Sequence, residues 1–201
     1  MAAPRPTLRD RRRAELRERI TATALRLFAE RGFDQVTVDE IAAETGISLS
    51  TLFRHVPAKD DLLVAVVRTG RAMIVASFGQ RPADEPVREA LAHAILHRTE
   101  QFTGAAETIE LWRRAMASAP PRVRRAALLD EAERAQLIGL VADRLEGGEP
   151  GPDDLAAGVL VQVMLAAAEY AYEHWLAGRS ALTLHELTGR ALDLAAGGSR
   201  P

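Results

Sequence analysis

The chain has 201 residues, 47% of them hydrophobic and 27% charged, with a formal charge of −2. That length buries one or two cores, and the composition is that of a globular protein rather than a disordered one. There is no cysteine, which excludes disulfides, thiolate metal sites, iron–sulfur ligation and cysteine nucleophiles together.

Charge is distributed unevenly. Residues 1–31 carry nine Arg against four acids, whereas residues 61–201 carry 15 Arg against 19 acids. A basic N-terminal end on an acidic remainder has the pattern of a polyanion-binding segment. No uncharged apolar stretch follows this Arg-rich start, so a secretory signal is not expected and cytoplasmic residence is. The longest nearly apolar run, Leu155 to Ala168, is too short to span a bilayer.

Gly and Pro fall in clusters, and between them apolar residues recur at three and four, so the chain reads as all-α with nine helices. The first runs from Leu8 or Asp10 to Arg31, with Leu16, Ile20, Ala24, Leu27 and Phe28 on one stripe and Gly32 ending it. Thr37 with Glu40 forms a capping box that opens a short helix ending at Thr45-Gly46. A second short helix starts at Ser48 and stops before Pro57, which keeps Val56 out of the α region. A fourth begins near Lys59 and ends at about Gly79. Later helices are expected over Glu85/Pro86 to Thr103, Ala105 to Ser118, Pro121 to Glu146, Pro152 to Ala177 and Thr183 to Ala196.

Residues 37–56 read TVDEIAAETGISLSTLFRHV, two short helices joined by Thr45-Gly46-Ile47, which is the layout of a helix-turn-helix. With Leu52 set inward against Ile41 and Ala42, Ser50 and Arg54 point outward and Thr51 and Phe53 lie on the flanks. Small hydroxyls followed one turn later by a guanidinium suit a major groove about 12 Å wide, where Arg54 can bond guanine and Ser50 and Thr51 can bond bases or phosphates. Thr37 and Lys59 stand at helix starts, where phosphate is favoured. Ser48, at the start of the reader, joins the DNA-contacting set. The basic arm Arg9 to Arg13, with Arg11 and Arg12 at its centre, suits an adjacent minor groove.

The segment LRLFAERGFDQVTVDEIAAETGISLSTLFRHVPAKDDLL (residues 25–63) resembles the DNA-binding domain of TetR-family transcriptional regulators. The resemblance implies a helix-turn-helix domain over residues 1–58 and a helical ligand-binding and dimerisation domain over 59–201. It also implies a homodimer, readers about one DNA turn apart on a pseudo-palindromic operator, and repression more often than activation. By position it assigns phosphate contact to Thr37, Phe53, His55 and Lys59, and base contact to Leu49, Ser50, Thr51 and Arg54. Four positions depart from the family pattern. Phe53 replaces a usual Tyr, Val56 a usual aromatic, Ala58 a usual capping residue, and Leu49 a common polar or basic reader.

The Pro152–Ala177 helix carries one apolar stripe through Leu155, Val159, Val163, Ala167 and Tyr170 and a second through Leu160, Met164, Ala168, Tyr172 and Trp175. It is apolar over more of its circumference than one core contact requires, so helices 155–175 and 183–196 are expected to form half of an intermolecular four-helix bundle. Met73, Phe78, Phe102, Trp112, Met116, Met164 and Tyr172 are the candidate pocket residues. A weak resemblance of the C-terminal part to acyl-CoA-binding regulators favours an apolar or acyl effector. His93 and His97, one turn apart near Glu89 and Glu100, have metal-compatible spacing, but with neither Cys nor HExxH no metal or cofactor is expected. The alternatives are an all-α enzyme, against which the absence of GxGxxG, P-loop, GxSxG and HExxH motifs counts, and a ligand-independent DNA-binding or interaction protein.

Overall fold

Four helices begin on one local device. Thr7, Thr37 and Thr183 stand in extended backbone; each hydroxyl accepts the N–H three residues on, and the carboxylate found there (Asp10, Glu40, Glu186) accepts the Thr N–H in return. Asp130 and Glu133 repeat the exchange at 2.9 and 3.0 Å.

The structure is a computed structural model that describes residues 7–100, 106–125, 129–145 and 154–197. Among these residues there are ten helices and no strand. They are α1 (Leu8–Arg31), α2 (Val38–Thr45), α3 (Leu49–His55), α4 (Asp61–Gly79), α5 (Val87–Thr99), α6 (Ala106–Ala117), α7 (Pro121–Arg125), α8 (Glu131–Leu145), α9 (Asp154–Leu176) and α10 (Leu184–Ala195). The all-α reading holds. One helix was expected over Pro121–Glu146, but two are found, because Asp130 is spent as the cap of α8 and leaves the helical path. The Asp-x-x-Glu signal for this break stands in the sequence at 130–133.

Contacts divide the chain into two compact units, Met1–Val66 with Glu110–Arg124, and Val67–Ile109 with Arg125–Pro201. The sequence drew its boundary between residues 58 and 59. The first compact unit continues to Val66 and includes a late segment, residues 110–124, held to it by specific bonds. The Trp112 indole N–H donates to the Leu63 carbonyl at 3.3 Å, the Phe33 N–H donates to Ser118 Oγ at 3.0 Å, and Arg114 donates to the Ala29 carbonyl at 3.1 Å.

In the first unit α1 packs on α2, and α2 on α3. Ile20, Ala24, Phe28, Phe33, Ile41, Ala42, Leu52 and Leu63 are buried. The joint between α2 and α3 needs a left-handed residue, and Gly46 supplies it at φ 74°, ψ 36° with nothing near the missing Cβ. Arg26–Glu44 at 2.6 Å and Arg31–Glu40 at 2.8 Å tie α1 to α2 on the surface.

In the second unit α9 packs on α8, α10 and α5. The core includes Ile74, Phe78, Leu91, Ile95, Leu137, Val161 and Met164. Arg144 donates to the carbonyls of Phe78 and Arg81 and lies 4.6 Å from the Phe78 ring centre, closing the end of α4. α9 falls within the expected Pro152–Ala177, but the run 155–168 understated its apolar length: Leu155–Leu176, 22 residues, has the length and hydropathy of a bilayer span. Its inner side, Ala157, Val161, Met164, Ala171, Tyr172 and Trp175, is buried, and the larger part of the apolar stretch is not.

Candidate nucleic-acid interface and ligand cavity

α3 is positioned by its ends. The Ser48 hydroxyl accepts the Thr51 N–H at 3.2 Å, and Val56 is extended (φ −136°, ψ 100°) before Pro57. Buried Leu52 fixes its rotation. Ser50, Phe53 and Arg54 are therefore exposed, and Leu49, Thr51 and His55 are half-buried. Ser48 Oγ lies 3.1 Å from Ser50 Oγ and 2.9 Å from Thr51 Oγ1, so three hydroxyls cluster at the start of the helix.

The expected arm is helical. α1 is continuous from Leu8, with Arg11 and Arg12 exposed on its first turns. α1 and α3 then share a cationic cluster around His55. Its Nδ1 is enclosed without a hydrogen-bond partner among the described residues. Desolvation first, then Arg13, Arg54 and Arg17, hold its pKa below the usual histidine value. Three guanidinium charges thus act on this place between α1 and α3, a positive potential that favours phosphate at the surface nearby.

Two of the expected phosphate residues are engaged elsewhere. Lys59 turns inward: its ammonium donates to the Phe33 carbonyl and lies 4.2 Å from the Phe33 ring centre and 5.6 Å from that of Phe28, and desolvation lowers its pKa. In this structure it braces the loop after α1 rather than reaching outward. The Thr37 N–H and hydroxyl both donate to Glu40 Oε2, at 2.7 and 3.0 Å. These bonds and Arg31 pull Glu40 down to about 2. The departure at Ala58 is offset nearby, where its N–H donates to Asp61 Oδ2 at 3.2 Å.

A small cavity of about 50 Å³ lies in the second unit, below the usual size of small-molecule sites. Its apolar wall includes Ile74, Ile95, Leu129, Leu165 and Leu184, and its polar lining includes Arg98, Thr99, Arg134, Glu169 and Thr188. Of the six expected pocket residues among the described ones, Tyr172 alone lines it. Phe78 and Met164 are buried in the core of this unit, and Met73 is half-buried. Trp112 and Met116 are buried residues of the first unit, and Phe102 lies outside the described residues. The expectation followed large apolar side chains, which fill cores; the polar lining has no sequence period that marks it. The two expected histidines are separately engaged, His93 with Glu85 at 2.7 Å and His97 with Glu100 at 2.8 Å. Glu85, also bonded by Arg81, falls to about 2.

On the side of α9 away from its core face, Leu155, Val159, Val163 and Tyr170 are exposed, and Leu194 of α10 is exposed as well. Leu155, Val159, Leu160 and Val163 line an open groove edged by Arg88.

Residues 20–66 match the model of bacterial regulatory proteins of the tetR family, and residues 85–200 match that of the MftR C-terminal domain. This chain belongs to the TetR family. It is 30% identical, over 94% of its length and 93% of the relative's, to MftR of Mycobacterium tuberculosis, whose name assigns it to transcriptional regulation of mycofactocin biosynthesis. Solved TetR-like structures share the fold. A regulator from Saccharomonospora viridis in complex with choline has a TM-score of 0.53 at 22% identity, covering 91% of this chain and 96% of its own. FadR of Thermus thermophilus in complex with lauroyl-CoA has a TM-score of 0.52 at 24% identity, covering 92% and 95%. Both ends of this TetR regulator are thus accounted for: a helix-turn-helix domain at the N-terminus and a helical domain after it.

Proposed function

We propose that this TetR regulator is a cytoplasmic repressor. It binds a pseudo-palindromic operator as a homodimer and is released by a small effector of apolar or acyl type. The observation that carries the DNA half is α3, where buried Leu52 turns Ser50 and Arg54 to the outside. Arg54 is assigned to base contact, with Ser50, Thr51 and Leu49 beside it. Ser48, Phe53 and His55, with Arg11 and Arg12 of α1, are assigned to the flanking contacts; Thr37 and Lys59 join them only if their present bonds are exchanged for phosphate. The exposed strip of α9 and α10 supports pairing of two copies, which sets two readers on one face of the duplex.

Effector binding in the second unit releases DNA only if it prefers the DNA-incompetent state, with a coupling of about 1–3 kcal/mol. α4 and α6 contribute residues to both units, which makes them the elements through which such a preference would act. A salt titration on the operator tests the DNA half. With six to ten phosphate contacts, affinity should fall by roughly 10³–10⁵ between about 50 and 200 mM salt. Arg54→Ala should cost about 1–3 kcal/mol and relax discrimination at one base pair. A salt-independent affinity, or an Arg54→Ala variant with unchanged base preference, contradicts the assignment.

A further inference from the structure

The histidines of α5 carry chemistry that neither the operator nor the effector uses. His93 and His97 are one turn apart, so both rings leave the same face of the helix, and both are exposed. They line an open groove of the second unit together with Arg81 and His185. Spacing alone is a weak sign of a metal; the ring nitrogens add a second. His93 Nδ1 lies 2.7 Å from Glu85 Oε1, and His97 Nδ1 lies 2.8 Å from Glu100 Oε2. A carboxylate oxygen only accepts, so Nδ1 carries the proton in both rings and Nε2 keeps its lone pair. The Arg81 guanidinium near His93 is itself paired with Glu85, so the two together bring no net charge. Histidines that hold a metal show this arrangement: the far ring nitrogen donates to a carboxylate, which fixes the ring and makes the ligating nitrogen more basic.

We propose that His93 and His97 bind a divalent transition-metal ion through their Nε2 atoms, with Glu85 and Glu100 orienting the two rings. Neutral imidazole suits nickel, copper and zinc, whereas magnesium and calcium take oxygen ligands. Both ligands stand on one helix and both rings are already held, so chelation orders little that was free. Among the described residues no group of three or more His, Cys, Asp or Glu is placed to hold a metal. The pair is therefore a two-point chelate, and the remaining positions on the metal are left to water. The site is independent of the operator and of the effector and stands if either assignment fails.

The test uses the full chain without an affinity tag, titrated by calorimetry with Ni²⁺, Zn²⁺ and Mg²⁺. Ni²⁺ and Zn²⁺ should bind at one ion per chain, and Mg²⁺ should not bind. His93→Gln and His97→Gln should each weaken Ni²⁺ by about tenfold or more, and the double variant should abolish its binding. Glu100→Ala should weaken it by about tenfold with both ligands in place. His185→Gln, in the same groove, should leave the affinity unchanged. His93, His97, Glu100 and His185 are all exposed, so the variants keep the fold, which melts followed by circular dichroism in EDTA verify. No Ni²⁺ binding by the parent chain, or binding that survives in the double variant, overturns the proposal. A loss in His185→Gln as large as that in His93→Gln overturns the pair as the chelate. An unchanged affinity in Glu100→Ala overturns the orienting role of the carboxylates.

Discussion

Val159→Arg tests how two copies of the chain meet. Leu155, Val159, Val163 and Tyr170 of α9 are 71, 53, 45 and 72% exposed, and Leu194 of α10 is 54% exposed. Full burial of such a side chain is worth about 2 kcal/mol. Scaled by exposed fraction, the strip carries about 6 kcal/mol per protomer and about 12 kcal/mol in a symmetric pair. That is comparable to the cost of association itself, so pairing depends on nearly all of the strip. Val159→Arg removes about 1 kcal/mol of apolar burial from each copy. The new cation would share its groove with Arg88 and with no carboxylate among the groove-lining residues. Two partly desolvated charges add about 1–3 kcal/mol. The total of roughly 4 kcal/mol raises the dimer Kd about a thousandfold. Sedimentation velocity across a dilution series reads this directly, and operator affinity should weaken in step. A Val159→Arg dimer that dissociates within about threefold of the parent would place the interface on another surface.

Phe53→Tyr restores a hydroxyl at an exposed reader position. It should tighten operator binding by about 0.5–1.5 kcal/mol in a fluorescence titration without changing the preferred sequence; weaker binding would mean that this ring packs against the DNA instead. Lys59→Met removes the bond to Phe33 and the ring contacts. It should cost about 1 kcal/mol in chemical denaturation and leave the log–log salt slope of operator binding unchanged. A slope reduced by about one would show that Lys59 swings out to phosphate. Glu40, held at about 2 against an ordinary 4.5, contributes stability that is fully present above pH 4.5 and is lost as the pH falls toward about 2. Glu40→Gln should therefore lower the melting temperature at neutral pH and converge with the parent near pH 2; parallel curves at all pH values would refute the role of this carboxylate.

Much of the fold was legible because its signals are local. The capping box at Thr37 and Glu40, the φ of Gly46 and the extended Val56 before Pro57 each rest on a few neighbouring residues, and each took its expected form. The inward set of Ile41, Ala42 and Leu52 followed from periodicity alone. What the sequence left unread depends on distant partners. The inward turn of Lys59 is decided by Phe33, 26 positions earlier, and the membership of Trp112 in the first unit by Leu63. The lining of the cavity, Tyr172 apart, was not legible for a related reason. Trp112, Met116 and Phe78 are large and apolar and so are consumed by cores, whereas Arg98, Arg134 and Glu169 come together from three helices that no motif connects.

The bonds from residues 112–118 back to Phe33, Ala29 and Leu63 bear on any attempt to treat the reader as a portable cassette. A graft of residues 1–66 onto a foreign sensor would leave the Phe33 amide and the Leu63 carbonyl without Ser118 and Trp112. It would also uncover the apolar side on which Trp112 and Met116 close. A chimera intended to keep this operator specificity has to carry the 110–124 segment as well, spliced in as a second, discontinuous insert.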